Sequence, residues 1–140
     1  MTSSPHTDRE YAYFCVTGYG DYTLITERIG LEPSEAWNAG EPRRRVPGNY
    51  PCTKWIYKSG LKDTHPMTVH IEALLDALDQ RAQEIRSLAP DYDLIIVCVG
   101  EYPSSQHGFH LTKSMIQRAA YLGIEFDFDM YFVSNEEHIS

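Results

Sequence analysis

Asp127 and Asp129 stand two residues apart in the run Phe126-Asp-Phe-Asp-Met-Tyr131. In a strand this alternation puts both carboxylates and Tyr131 on one face, with about 7 Å between successive side chains of that face. Two carboxylates at such a distance have the chemistry to act as acid and base, or to hold a cation. A half-buried strand also needs polar residues on its outer face, so the simpler expectation is a sheet face wetted by acids. Left open, such a face is a docking surface, because aromatic and acidic groups together suit a partner carrying Arg or Lys.

A second constellation is basic. Arg43, Arg44 and Arg45 form an island in a proline-bounded stretch between Trp37 and Trp55. Guanidinium groups beside indole rings can clamp an anionic or aromatic ligand through bidentate hydrogen bonds and stacking. The plainer account has the arginines bridging the chain's own carboxylates while the tryptophans fill the core.

Other candidates carry less. His107 and His110 lie three apart, with His65 and His70 elsewhere, but no carboxylate or thiolate stands at ligand spacing beside the pair, so no metal is expected. There is no Gly-x-Ser-x-Gly elbow and no cysteine in an activated setting, which gives no basis for nucleophilic catalysis. Gly18-Tyr-Gly20 lacks the further spacing of a phosphate loop or dinucleotide fingerprint, so no nucleotide cofactor is expected.

The elements that must position these residues follow from composition and periodicity. The 140 residues suit one compact domain; 42% are apolar and 23% charged, the balance of a globular chain. The formal net charge of −8 disfavours attraction to nucleic acid or an anionic membrane surface, and a basic or neutral partner suits it better. Cys15, Cys52 and Cys98 are odd in number, and two lie in apolar strand-like runs, which argues for a reducing compartment. The longest apolar run is Leu94–Val99, far short of the roughly 20 residues a membrane span needs, and residues 1–10 lack the pattern of a secretory signal. A cytoplasmic location is therefore expected.

Tyr11–Thr17 reads as a strand closed by Gly18, Gly20 and Asp21, and Asp21 is placed to cap a short helix that ends at Gly30 before Pro33. Residues 33–51 read as a long loop, with a short strand over Ser34–Ala39. Lys54–Lys58 is a strand with Trp55 and Tyr57 on one face and Ile56 on the other. Ile71, Leu74, Leu75, Leu78, Ala82, Ile85 and Leu88 recur at three- and four-residue steps, which predicts one long helix from near Thr68 to near Ala89. Leu94–Val99, apolar at every position, predicts an inner strand; a helix from Thr112 to Gly123 and the alternating strand from Phe126 to Val133 follow. The parallel between residues 25–32 and 118–125 reads as two ordinary glycine-capped helix exits. The expectation is α+β: a ferredoxin-like βαββαβ core with an appended helix and strand, forming a mainly antiparallel sheet with helices on one face. Residues 1–10 are expected to be a disordered segment, 11–133 the domain, and 134–140 a frayed acidic tail.

Several pieces, in this order, carry a family resemblance: Tyr13-Phe-Cys-Val-Thr-Gly18, Ile29-Gly-Leu-Glu-Pro33, Trp37 followed by Gly40, Trp55-Ile-Tyr57, Leu74-Leu75, and Leu122-Gly-Ile-Glu-Phe-Asp-Phe-Asp-Met-Tyr131. Spanning about residues 11–132, they resemble an uncharacterised bacterial domain-of-unknown-function family. The resemblance implies a small bacterial cytosolic α+β protein with no established activity; some members lie in toxin loci and have been suggested to be immunity proteins. It supplies no catalytic residues. The functional expectation is a non-enzymatic binding protein, an immunity protein that neutralises a basic toxin through Asp127, Asp129 and Tyr131. The alternative is a sensor domain, compatible with a homodimer, that binds an anionic or aromatic metabolite at Trp37, Arg43, Arg44, Arg45 and Trp55.

Overall fold

The computed structural model describes residues 8–103 and 108–132. Chain order is β1 (Arg9–Gly18), α1 (Tyr22–Ile29), β2 (Glu35–Trp37), β3 (Thr53–Lys58), α2 (Met67–Asp79), α3 (Ala82–Arg86), β4 (Asp93–Tyr102), α4 (Lys113–Leu122) and β5 (Glu125–Phe132). The strands form one sheet in the order β2-β3-β1-β4-β5. Three of the four pairings are antiparallel; β5 returns parallel to β4 through α4. Among the described residues the four helices contact one another in a single layer and pack on one face of the sheet. The architecture is α+β, with a mixed, mostly antiparallel sheet.

Alternation fixes which side chains meet that layer. Ala12, Phe14 and Val16 of β1, Trp55 of β3, and Leu94, Ile96 and Cys98 of β4 point inward. They are buried against Ile25 and Ile29 of α1, Ile71, Leu74, Leu75 and Leu78 of α2, Ile85 of α3, and Met115, Ala119 and Leu122 of α4. Trp55 is wholly buried. It meets Phe14 edge to face, and its indole N–H donates to Thr26 Oγ1 at 2.9 Å, so the one polar atom of the ring is satisfied inside the core.

The helix termini follow side-chain chemistry. Asp21 Oδ1 accepts from the Thr23 N–H at 2.9 Å and starts α1, and Thr112 Oγ1 accepts from the Met115 N–H at 3.1 Å and starts α4. Gly30 and Gly123 close the two helices with φ of 81°, the left-handed turn that favours glycine. Gly18 and Gly20 are small for a steric reason instead, since a Cβ at either position would collide with the ring or hydroxyl of Tyr92.

One element departs from the periodicity. The single helix expected from Thr68 to Ala89 is two helices, broken at Gln80–Arg81, where Arg81 takes φ −123° and ψ 34°. No glycine or proline marks the break. Asp76 and Asp79 instead load the C-terminal end of α2, where the helix dipole is negative and no basic residue stands in the last turn. Arg118 of α4 answers those acids, donating to Asp79 at 2.9 Å, to Glu72 at 3.1 Å and to Asp76 at 2.7 Å. β1 also begins at Arg9, two residues earlier than expected, and Glu10 is buried. Residues 1–7 and the 134–140 tail lie outside the described residues.

Candidate functional site

The face of the sheet away from the helices carries no helix of its own among the described residues. Its middle is apolar, with Cys15, Ile56, Ile95, Val97 and Val99 beside Tyr11 and Tyr13. Toward its two sides the charges differ, with Glu35 of the edge strand β2 beside the lysines of β3. Lys54 and Lys58 stand on β3, while Glu125, Asp127 and Asp129 stand on β5. One cross-strand row runs Lys58, Tyr13, Val97, Asp127.

Asp127, Asp129 and Tyr131 share this outer face and are all exposed, as the alternation requires. They sit opposite Val97, Val99 and Glu101 of β4. Lys58 is paired with Glu35 at 3.3 Å, and Arg9 with Asp63 at 2.8 Å. Among the described residues no ion pair reaches Glu125, Asp127 or Asp129. Burial is felt on the strands beside them. It pushes the Tyr13 phenol up to about 12, with smaller contributions from Cys15 and Asp129, and the Cys98 thiol up to about 12, with help from the Asp127 charge. Neither group ionises at neutral pH.

The arginines lie at the opposite edge. Residues 42–49 close a loop through the Pro42–Asn49 bridge and the Arg43 N–H donating to Gly48 O at 2.9 Å. Beside it is an open cleft of about 470 Å³ lined by Glu35, Trp37, Arg43, Arg44, Arg45 and Tyr50. Trp37 stacks on Tyr50 with ring centroids 4.5 Å apart and planes 16° from parallel. No ion pair with a carboxylate engages the three arginines among the described residues, contrary to the bridging role expected of them. Trp55 does not belong with this group. Alternation along β3 sends it to the helix side, whereas Trp37 faces outward with Lys54. Tyr50 takes the place expected of Trp55, and nothing in the spacing of Tyr50 signals that.

The remaining polar cluster is internal. Ser59 Oγ lies 2.6 Å from His70 Nδ1 and accepts from the Leu61 N–H at 3.3 Å; Tyr102 donates to the buried Glu10 carboxylate at 2.8 Å. His70 is wholly buried, and among the described residues its Nε2 has no hydrogen-bond partner within bonding geometry. Burial first, and the neighbouring His65 second, hold its pKa below the ordinary 6.5, which favours the neutral ring; its Nδ1 shares a hydrogen bond with Ser59. A hydroxyl and imidazole at this distance are the start of a nucleophile and base, but an imidazole sealed in the core reaches no substrate. The pair ties the end of β3 to α2. The legible signal was position: His70 sits on the apolar stripe of α2 between Met67 and Ile71. His110 is exposed, His107 lies outside the described residues, and among the described residues no group of three His, Cys, Asp or Glu side chains could hold a metal.

Fold and surface together define a small α+β domain with one sheet face that no helix covers among the described residues and that carries carboxylates along its β5 edge. The chain belongs to the family described as a domain of unknown function (DUF4279), which it matches over residues 8–133. No curated protein and no solved structure shows significant similarity to it.

Proposed function

We propose that this protein is a non-enzymatic binding module that offers the acidic and aromatic margin of its sheet to a basic protein, and that the partner is a toxin it neutralises as an immunity protein. The observation that supports this is the state of β5: three carboxylates without a cation among the described residues, Tyr131 55% exposed beside them, and Phe128 and Phe132 exposed on the same strand. Aromatic groups ringed by charge are what a tight interface uses, with the charge steering encounter. The toxin as partner rests on the family resemblance. Co-expression with toxin genes adjacent to this one tests it: growth should be rescued and a 1:1 complex should be visible by light scattering. No rescue and no complex with any neighbouring gene product would overturn it.

We also take β1 to β4, with order β2-β3-β1-β4 and antiparallel neighbours throughout, as a ferredoxin-like βαββαβ unit to which α4 and β5 are appended. On that reading the docking margin belongs to the appended strand.

A second reading has its own support in the stacked Trp37–Tyr50 pair beside three arginines that no carboxylate engages among the described residues, a setting suited to an anionic aromatic metabolite. Titration of tryptophan fluorescence with aromatic carboxylates and nucleotides separates the two readings, since Trp37 lines the cleft and Trp55 is sealed.

A further inference from the structure

We infer that the partner docks by strand addition: an extended segment with Lys or Arg at alternate positions and apolar side chains between them pairs with the outer edge of β5 as a sixth strand. The inference rests on the reading that the partner binds the Asp127–Tyr131 margin, and specifies how it does so.

β5 ends the sheet. β4 pairs with it along its whole length, Ile95–Tyr102 against Glu125–Phe132, and among the described residues nothing pairs with the other edge. That edge carries backbone N–H and C=O groups already held in strand geometry, which is a template for another strand. The incoming segment alone must then be ordered.

The two faces of the edge ask for different side chains. On the outer face stand Glu125, Asp127 and Asp129, exposed and, among the described residues, without cations. On the inner face stand Phe126, Phe128, Met130 and Phe132, with Phe128 47% and Phe132 45% exposed. Half-buried Phe109, its ring centroid 5.7 Å from that of Phe128, continues that aromatic surface toward the helices, and the buried Tyr102 ring, 5.8 Å from that of Phe132, backs it from beneath. An added strand alternates in the same way, and its directly opposite Cβ atoms fall about 4.5–5.5 Å away. Cations on one face and apolar groups on the other satisfy both rows at once.

A second copy of the chain does not. Two-fold pairing of β5 with itself sets each face against the same face, so with Phe128 on the axis Asp127 opposes the other copy's Asp129. Like charges directly opposite are destabilising. The chain's own cation cluster is no better suited, because Arg43, Arg44 and Arg45 are consecutive in a closed loop rather than alternating in an extended run. The acids therefore repel identical edges while admitting a basic one.

The test uses two labelled synthetic peptides of about ten residues, the length of a long strand. One alternates lysine with valine and phenylalanine; the control has the same composition with its lysines in one block. Binding to the full chain is followed by fluorescence anisotropy at physiological salt, and backbone amides by hydrogen exchange. The alternating peptide should bind at least about tenfold tighter than the control and should slow exchange along β5. Asp127→Lys with Asp129→Lys should weaken it by about tenfold or more, and Asp127→Asn with Asp129→Asn should weaken it less but in the same direction. Equal binding of both peptides, or self-association of the free chain that protects β5, overturns the inference. Binding that is lost in the charge variants while β5 exchange is unchanged removes strand addition but leaves the margin as the docking site. Binding untouched by the charge variants removes both.

Discussion

At the scale of single residues, the three cysteines separate by environment. Cys15 and Cys98 are buried and burial raises both thiols, whereas Cys52 is half-buried in the loop before β3. A thiol reagent at pH 8 should therefore label Cys52 in the folded protein and reach Cys15 and Cys98 only on unfolding, as mass mapping of the labelled peptides would report. Labelling of Cys98 at the rate of Cys52 would mean that the inner face of β4 opens. His70 supplies a pH response. Its folded pKa lies below the unfolded 6.5, so the unfolded chain takes up the proton first. Stability from this group is complete above about pH 6.5 and is lost as pH falls through the window between that value and the lowered one. His70→Gln should flatten this part of the stability curve in denaturant titrations made at pH 7.5 and at successively lower pH. Gly100 is required by its neighbour: the Tyr102 ring lies across the space a Cβ would fill, on its way to Glu10. Gly100→Ala should cost about 1–3 kcal/mol through overpacking, read from the same titrations.

Elements were legible where local chemistry decides them. Asp21, Gly30, Thr112 and Gly123 announce the ends of α1 and α4 because caps act within a few residues. Thr112→Ala should lower stability by about 1 kcal/mol in urea titrations. The break between α2 and α3 was not legible, since the apolar stripe of Leu78, Ala82, Ile85 and Leu88 runs on through it. Its electrostatic setting depends on Arg118, about forty residues away in sequence, which donates to Asp76 and Asp79. Such a contact has no local signature. Arg118→Ala should destabilise by about 1 kcal/mol at low salt and by less in 1 M salt, where the network is screened. The candidate site divides in the same manner. Period two put Asp127, Asp129 and Tyr131 on one exposed face. The grouping of Trp37 with Trp55 failed because the pairing of β2 with β3 directs the two rings to opposite faces, and Tyr50 joined Trp37 through the loop's closure.

At the scale of the whole molecule, the fold converts an acidic composition into a direction. Helices cover one face of the sheet; the other has lysines and the arginine loop toward one edge and, toward the opposite one, carboxylates that no cation meets among the described residues. Among the described residues no helix is long and apolar enough to cross a membrane. On the proposed function, it is the carboxylate edge that meets the partner. Calorimetry of the proposed toxin partner with wild type, with Asp127→Lys/Asp129→Lys and with Arg43→Ala/Arg44→Ala/Arg45→Ala measures this. The aspartate variant should lose at least about tenfold and the arginine variant less than about twofold. An unchanged affinity for the aspartate variant, with a loss confined to the arginine variant, would move the docking surface to the arginine loop.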